Sequence, residues 1–297
     1  MNDIVAVVVT YNRKKLLSKC IRAIINQKEI SCDIIVIDNG SSDGTEELFK
    51  SIFNHSSILY TNTGKNIGCA AGTEMGMRMA VQEGYKYIWV MDDDVIPKKK
   101  ALYELHKMNE RLKGNWGILS SVAIWRDGTI SEANRQKKTI FTFIGGSDYK
   151  KELIKVKMVS LASMYVKSEV VKDVGLPIGE YFIYTEDYEF CNRVGKKYPI
   201  YVVPSSRVVH AMKANNKVNI VTDSHDRQYR YRYLYRNDVH CYRQNGIVGL
   251  VYLLLKYVYT ILQILVYEKK DRIKKIYIVS NGYLRGWRFF PQVKYVT

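Results

Sequence analysis

Three continuous apolar runs, rich in β-branched residues, open this chain: Ile4–Val9 (IVAVVV), Asp33–Asp38 (DIIVID) and Tyr87–Met91 (YIWVM). A strand that is apolar at every position, and not at every second one, must be covered on both faces. That environment belongs to a parallel sheet sandwiched between helices. The segments between the runs agree. Leu16, Leu17, Cys20, Ile21, Ile24 and Ile25 recur at helical spacing, a short helix starts at Thr45, and Gly68–Glu83 reads as a helix opened by glycines. Ser57–Thr61 is a further strand. The alternation predicts an α/β chain with a mostly parallel, doubly wound sheet. Parallel strands bring their carboxyl ends to one edge, where ligands bind in such sheets.

Beyond the fourth strand the pattern loosens. Gly117–Trp125, Thr139–Ile144 and Lys157–Val166 are β-like, Glu186–Lys197 is helical, and Ile200–Val203 and Arg207–His210 read as two strands. Small polar residues cluster at 213–223, and the remainder is helical and basic. The expected organisation is a catalytic unit, 1–215, followed by a basic, Tyr-rich helical extension, 216–297. With 47% apolar and 25% charged residues, neither disorder nor a polytopic membrane protein is expected. Five scattered cysteines with no C-x-x-C pair suggest neither a disulfide framework nor a zinc ribbon, and fit a reduced cytosolic chain. Met1-Asn2-Asp3 runs straight into the first strand, so no signal peptide is expected. The net charge is +17, and Ser205–Thr297 carries 17 Lys/Arg against 5 Asp/Glu, which points to a polyanionic partner.

Asp92-Asp93-Asp94 directly follows the YIWVM strand and precedes Pro97, read here as a first helical residue. Adjacent carboxylates repel unless a cation neutralises them, and alternate residues at a strand end point the same way. Asp92 and Asp94 can therefore converge on a divalent ion, unless the triplet merely caps the following helix. Glu186-Asp187 opens a helix, where acids are favoured by the helix dipole; a general base is the functional alternative. His210 ends a strand and is either structural or a ligand. With carboxylates it would suit Mn2+ better than Mg2+. Thr10-Tyr11-Asn12-Arg13 and Asp38–Asp43 share the edge of the acidic triplet, with Gly64, Gly68 and Gly72 offering close backbone approach. Neither G-x-G-x-x-G nor G-x-x-x-x-G-K-[ST] occurs.

Taken together, VVVTYNR, VIDNGSSDGT, NIGCAAG, the acidic triplet and the Glu186-Asp187 pair resemble the family 2 glycosyltransferases over roughly residues 3–212. These are inverting enzymes of the GT-A fold that use nucleotide-sugar donors. The resemblance implies that Thr10, Tyr11 and Asp38 hold the base, with Asn12 and Arg13 beside them. Asn66 and Gly68 would lie near nucleotide and sugar, and Asp92 and Asp93 near ribose and diphosphate. Asp94, His210 and Asp92 would hold Mn2+ or Mg2+, and Asp187, preceded by Glu186, would be the catalytic base. MDDD, YFIYTEDYEF and RVVH resemble the galactofuranosyl- and rhamnosyltransferase branch, which implies UDP-galactofuranose first and dTDP-rhamnose or another UDP-hexose as alternatives. The acceptor would be a glycan or lipid-linked saccharide in cell-surface polysaccharide synthesis. The Q-x-x-R-W motif of processive synthases is missing. Where many relatives carry Y-Y-x-x-R-N, this chain has Arg232 in place of one Tyr, followed by Arg236 and Asn237, which would contact acceptor or phosphate. A sugar-phosphate nucleotidyltransferase would need a Gly-rich basic loop that TYNRKK does not supply. A basic module for membrane or nucleic acid would leave the triplet unexplained, and nucleic acid is not expected as a partner.

Residues 247–267 are mostly apolar and long enough to span a bilayer, but Gly249, Tyr252, Lys256, Thr260, Gln263 and Tyr267 fall on one helical face. With EKKDRIKK following, the expectation is an in-plane helix on an anionic membrane, making the protein peripheral to the cytoplasmic face of the plasma membrane. Packing in a core or a homodimer, or a true span, are the alternatives.

Overall fold

The computed structural model describes residues 2–296. The N-terminal half alternates as expected: β1 (Ile4–Thr10), α1 (Lys14–Ile25), β2 (Asp33–Asp38), α2 (Thr45–Ser51), β3 (Ile58–Asn62), α3 (Cys69–Gln82) and β4 (Tyr87–Asp92). There follow β5 (Val95–Pro97), α4 (Ala101–Arg111), β6 (Ile118–Ile124), β7 (Ile154–Val156), β8 (Met164–Lys167), α5 (Ser168–Val174), α6 (Glu186–Val194) and β9 (Ile200–His210). One sheet runs β3-β2-β1-β4-β8-β6-β9-β5, with β7 beside β9. Strands β3, β2, β1 and β4 are mutually parallel, while β8 enters antiparallel between β4 and β6.

Every residue of β1 and β2 is buried, as the unbroken apolar runs require. Alternation divides them between two layers. Val5, Val7, Val9, Ile35 and Ile37 share one core with Met77, Val170 and Phe190 from α3, α5 and α6. Ile4, Ala6, Val8, Ile34 and Val36 share the other with Leu17, Leu48 and Leu105 from α1, α2 and α4. Helix α3 lies tight on β1 because Gly72 leaves room for the Val9 side chain, only 2.7 Å from where a Cβ would sit.

Four expectations change. Pro97 ends β5 and opens no helix; α4 begins at Ala101. The acidic triplet therefore ends β4 with Asp92 and makes the turn to β5 with Asp93 and Asp94, and the helix-cap alternative falls away. Proline fits there because an edge strand's end needs no N–H. Thr139–Ile144 forms no strand, only a bridge between Lys137 and Phe143, and Lys157–Val166 divides between a loop and β8. Conversely, 200–210 is one strand, whose register against β6 shifts between Ser121 and Val122, opposite the segment containing Pro204.

The C-terminal part comprises α7 (Tyr231–Arg243), α8 (Gly246–Tyr267) and α9 (Arg272–Trp287). Gly282 and Gly286 let α9 approach α7 closely; a Cβ on either would sit 2.6–2.7 Å from α7 atoms. The last described residues return to the α/β layers. Leu176 N–H donates to the Lys294 carbonyl at 2.8 Å, and Lys294 Nζ pairs with Glu74 on α3 at 3.2 Å.

Candidate active site

Parallel register sets the edge. Thr10 pairs with Asp38 and Val9 with Asp92, so the β1, β2 and β4 ends lie side by side. The turns after β1 and β2 clasp each other. Asn12 N–H donates to Ser41 Oγ, and Ser42 N–H donates to Asn12 Oδ1, both at 2.8 Å. Asp38 is fully buried; it accepts from Ser41 N–H at 2.9 Å and from the Tyr60 hydroxyl at 2.6 Å. Tyr11 stays exposed beside it, a free ring at the edge. Gly68, at φ +88°, opens α3 where any Cβ would collide with Phe182, while exposed Asn66 accepts from the Gly68 N–H at 2.9 Å.

Strand β9 brings His210 opposite Val95, and the carboxylates of Asp92 and Asp94 and a His210 ring nitrogen all lie within 4.8 Å of one another. Two carboxylates and an imidazole suit a hard or borderline divalent cation, Mn2+ more than Mg2+. His210 Nδ1 faces Asn134 Oδ1 at 2.5 Å and Nε2 faces Asp94 at 3.0 Å. Asn134 thereby fixes the ring so that Nε2 is the nitrogen turned to the carboxylates, the usual way an outer partner orients a ligand. Although burial alone would lower the His210 pKa, the hydrogen bond and charge of Asp94 raise it. Burial works against ionisation of Asp94, yet the His210 hydrogen bond and the charges of His210 and Arg13 hold its pKa below the ordinary value. Asp92 is pushed the other way by burial and by Asp94.

Asp93 points elsewhere. It accepts from Thr10 Oγ1 at 2.7 Å and from Arg13 Nη1 at 3.0 Å, and Arg13 Nη1 also reaches Asp94 at 2.7 Å. Burial raises the Asp93 carboxyl to about 7 against the pull of Arg13. Thr10, Arg13 and Asp93 thus form the wall that holds the acidic turn against β1.

Glu186 and Asp187 open α6 after an unusual approach: Phe182, Tyr184 and Thr185 all have φ between +66° and +72°. Such a cluster of left-handed non-glycine residues persists only where surroundings impose it. Asn237 imposes it here. Fully buried, its amide donates to the carbonyls of Tyr181, Ile183 and Tyr184 at 2.8–3.0 Å. Arg236 donates to the Glu180 and Tyr181 carbonyls at 2.7 and 3.2 Å, and Thr185 Oγ1 donates to Asp238 at 3.0 Å. Arg236 and Asn237, expected at acceptor or phosphate, spend these donors on the backbone of that loop. Burial raises the pKa of Asp187 to about 6, with the charge of Asp92 adding and Lys137 opposing; Glu186 is raised by burial and by Asp187. Glu186 Oε2 is buried without a hydrogen-bond partner, as suits a carboxyl kept neutral.

Lys137 was not legible in the sequence. Its ammonium lies 5.2–5.6 Å from the ring centres of Phe143, Tyr188, Tyr242 and Tyr252 and donates to the Tyr242 hydroxyl at 3.0 Å. No local pattern marks a lysine for such a cage. Asn134, which orients His210, and Cys69, whose thiol is 3.8 Å from Asp92, carry no sequence signal either.

The family model described as Glycosyl transferase family 2 matches residues 5–163. The chain is 24% identical over 205 residues to the low-salt glycan biosynthesis hexosyltransferase Agl10 of Haloferax volcanii, covering 66% of this chain and 63% of that one. It is 34% identical over 92 residues to the galactofuranosyltransferase GlfT1 of Mycolicibacterium smegmatis, 31% of this chain and 30% of the relative. It is 26% identical over 260 residues to the dTDP-rhamnosyl transferase RfbF of Shigella flexneri, 83% of this chain and 82% of the relative. The first two relatives are thus matched over less than two thirds of their length. The crystal structure of GalNAc-T7 with UDP, GalNAc and Mn2+ shares the fold, at TM-score 0.65 and 13% identity, covering 97% of this chain and 56% of that one.

Proposed function

The chain belongs to glycosyl transferase family 2 and has the GT-A fold, and on that premise we propose that it is an inverting, metal-dependent transferase. It moves a sugar from a nucleotide-sugar donor to a glycan or lipid-linked saccharide acceptor in cell-surface polysaccharide synthesis. The observation that carries this reading is the convergence of Asp92, Asp94 and His210 at the sheet edge that also holds Asp38 and Tyr11.

The nucleotide base fits beside Tyr11, whose exposed ring offers a stacking face, and near Asp38. A divalent cation on Asp92, Asp94 and His210, Mn2+ before Mg2+, would supply Lewis-acid stabilisation of the charge that develops on the leaving diphosphate. Arg13 balances the carboxylates of Asp93 and Asp94 so that the acidic turn keeps its shape. Asp187, the base, takes the proton from the acceptor hydroxyl as that oxygen attacks the anomeric carbon. Its raised pKa makes it a better proton acceptor than an ordinary aspartate, while leaving it ionised near neutral pH. Glu186, kept neutral beside it, can donate a hydrogen bond without adding a second negative charge. A single in-line displacement inverts the anomeric centre.

UDP-galactofuranose is the donor we favour, on the likeness of the MDDD, YFIYTEDYEF and RVVH segments to the galactofuranosyl- and rhamnosyltransferase branch and on the local identity to GlfT1. A dTDP-rhamnose donor is the second reading, favoured by the alignment to RfbF along 83% of the chain. Turnover of UDP-galactofuranose, dTDP-rhamnose and common UDP-hexoses, each with and without Mn2+, separates them. Hydrolysis or transfer of none of these with metal present would overturn the proposal.

A further inference from the structure

Helix α8 is long and apolar enough to cross a membrane, yet it is arranged the wrong way round for a helix in water. From Gly249 to Thr260 its polar stripe faces the protein, and only Gln263 and Tyr267 at its end turn away. Lys256 Nζ donates to Asp238 on α7 at 2.6 Å, Thr260 is 7% exposed, and the Tyr252 ring packs 4.4 Å from that of Tyr242. Its apolar side faces out: Ile247, Leu254 and Val266 are 79%, 63% and 65% exposed. Surface helices of soluble proteins carry the opposite arrangement, and monomers rarely leave a contiguous apolar face of this length bare. Helix α9 adds a second outward stripe of Ile273, Tyr277 and Leu284, which share one helical face and are 85%, 67% and 68% exposed. Basic residues rim these faces. Residues 268–297 hold eight Lys/Arg against two acids; Lys275 is buried on Glu268 and Lys294 pairs with Glu74, which leaves Lys269, Lys270, Arg272, Lys274, Arg285 and Arg288 exposed.

We propose that the outward faces of α8 and α9 lie in the plane of a bilayer bearing anionic headgroups, their apolar side chains in the acyl boundary and their lysines and arginines at the phosphates. The charge rim decides among occupants. A second copy docked by the same faces would bring two basic rims together, whereas anionic headgroups complement them. A spanning α8 is disfavoured by its inner side. From Gly249 to Ile264 that side is buried against the protein, where α7 and α9 carry Asp238, Arg243, Lys275 and Arg285; inserting α8 would drag these into hydrocarbon or break the Lys256–Asp238 pair. In a cell the cytoplasmic leaflet of the plasma membrane offers such a surface. Exposed Phe141 packs edge-on against Tyr252 near the start of α8, beside the Lys137 cage whose charge reaches Asp187, so a docked protein would present its acceptor side to lipid. That last step rests on the proposed glycosyl transfer; the docking itself does not.

Flotation of the full chain with phosphatidylcholine vesicles, with and without phosphatidylglycerol, at low and molar salt tests the proposal. Binding is expected only with the anionic lipid, falling on the order of tenfold or more at molar salt, where the Debye length shrinks to about 3 Å. A V251S/L254Q/L255Q/V258S variant changes only exposed side chains and should keep its melting temperature and Mn2+ binding while losing flotation. Trp287, 48% exposed, gives a readout in the unaltered protein: brominated lipids should quench it, and Trp287→Phe should remove the quenched signal, since Trp89 and Trp116 are buried and Trp125 is half-buried just after the end of β6, its indole N–H on the Met212 carbonyl. Equal flotation on neutral and anionic vesicles at both salts would overturn in-plane docking in favour of a span. No flotation, with unquenched Trp287 and a sedimenting dimer that the quadruple variant converts to monomer, would overturn it in favour of a second copy.

Discussion

Asp187 carries a division of labour that two adjacent acids rarely achieve on a helix. One is held neutral and the other ionised, because burial raises both pKa values while Asp187 pushes Glu186 further up and the Tyr188 N–H and Lys137 hold Asp187 back. Asp187→Asn should therefore lower kcat on the order of 10²–10⁴-fold while donor affinity, read by calorimetry, stays within a few-fold. In the unaltered enzyme the acid limb of the kcat profile should fall near pH 6, not near the ordinary aspartate value. The sign follows from the proposed base role: protonation below that pH removes the acceptor for the hydroxyl proton. A profile flat down to pH 4.5 would remove Asp187 from that role. At the metal cluster, Asp94→Asn should abolish metal-dependent turnover with little change in fold, since Arg13 and His210 remain to balance Asp93 and Asp92. Chelation of the unaltered protein should do the same to activity and leave the circular dichroism unchanged. These acids were legible because strand ends and helix starts are local features. Asn134 and Lys137 were not, since each acquires its role from partners 76 and 105 residues away.

At the scale of elements, the parallel strands could be read directly because an unbroken apolar run has few other uses. Pro97 was misread because its fixed φ serves a helix start and a strand end equally well. For α8 the sequence shows the polar stripe but not which side the protein occupies; that is decided by Asp238, across the α7–α8 contact. Lys256→Met should therefore be costly despite matching the neighbouring apolar face. It leaves Asp238 buried without its cation, a loss of about 3 kcal/mol or more, read as a lower melting temperature. Because Asp238 also accepts from Thr185, the same variant should reduce kcat, and Lys256→Arg should restore part of both.

For the whole molecule, one pH-dependent contribution to stability lies at the junction between α7 and the α/β layers. His240, on α7, accepts from the Tyr181 hydroxyl and packs on Phe289, and burial, with Arg243 and Arg236 adding, presses its pKa down to about 4. The unfolded chain takes up that proton near 6.5, so between the two values the unfolded state binds more protons. The His240 contribution should hold above about pH 6.5 and be lost as pH drops toward 4, by about 2–3 kcal/mol, while the raised carboxyls of Asp93, Glu186 and Asp187 act with the opposite sign over the same range. The melting temperature of His240→Gln relative to the unaltered protein should therefore rise as pH drops from 6.5 toward 4. The left-handed loop at 182–185 also bears on how far the enzyme can be shortened or recombined. A chain ending after β9 would retain Asp92, Asp94, His210, Glu186 and Asp187, every residue that looks chemical. It would lack Asn237 and Asp238, and Phe182, Tyr184 and Thr185 would have no reason to keep a backbone they disfavour. Swapping C-terminal segments between relatives to alter acceptor preference would therefore need to carry a matching α7, or the hybrid would hold a metal and a nucleotide while hydrolysing and transferring nothing.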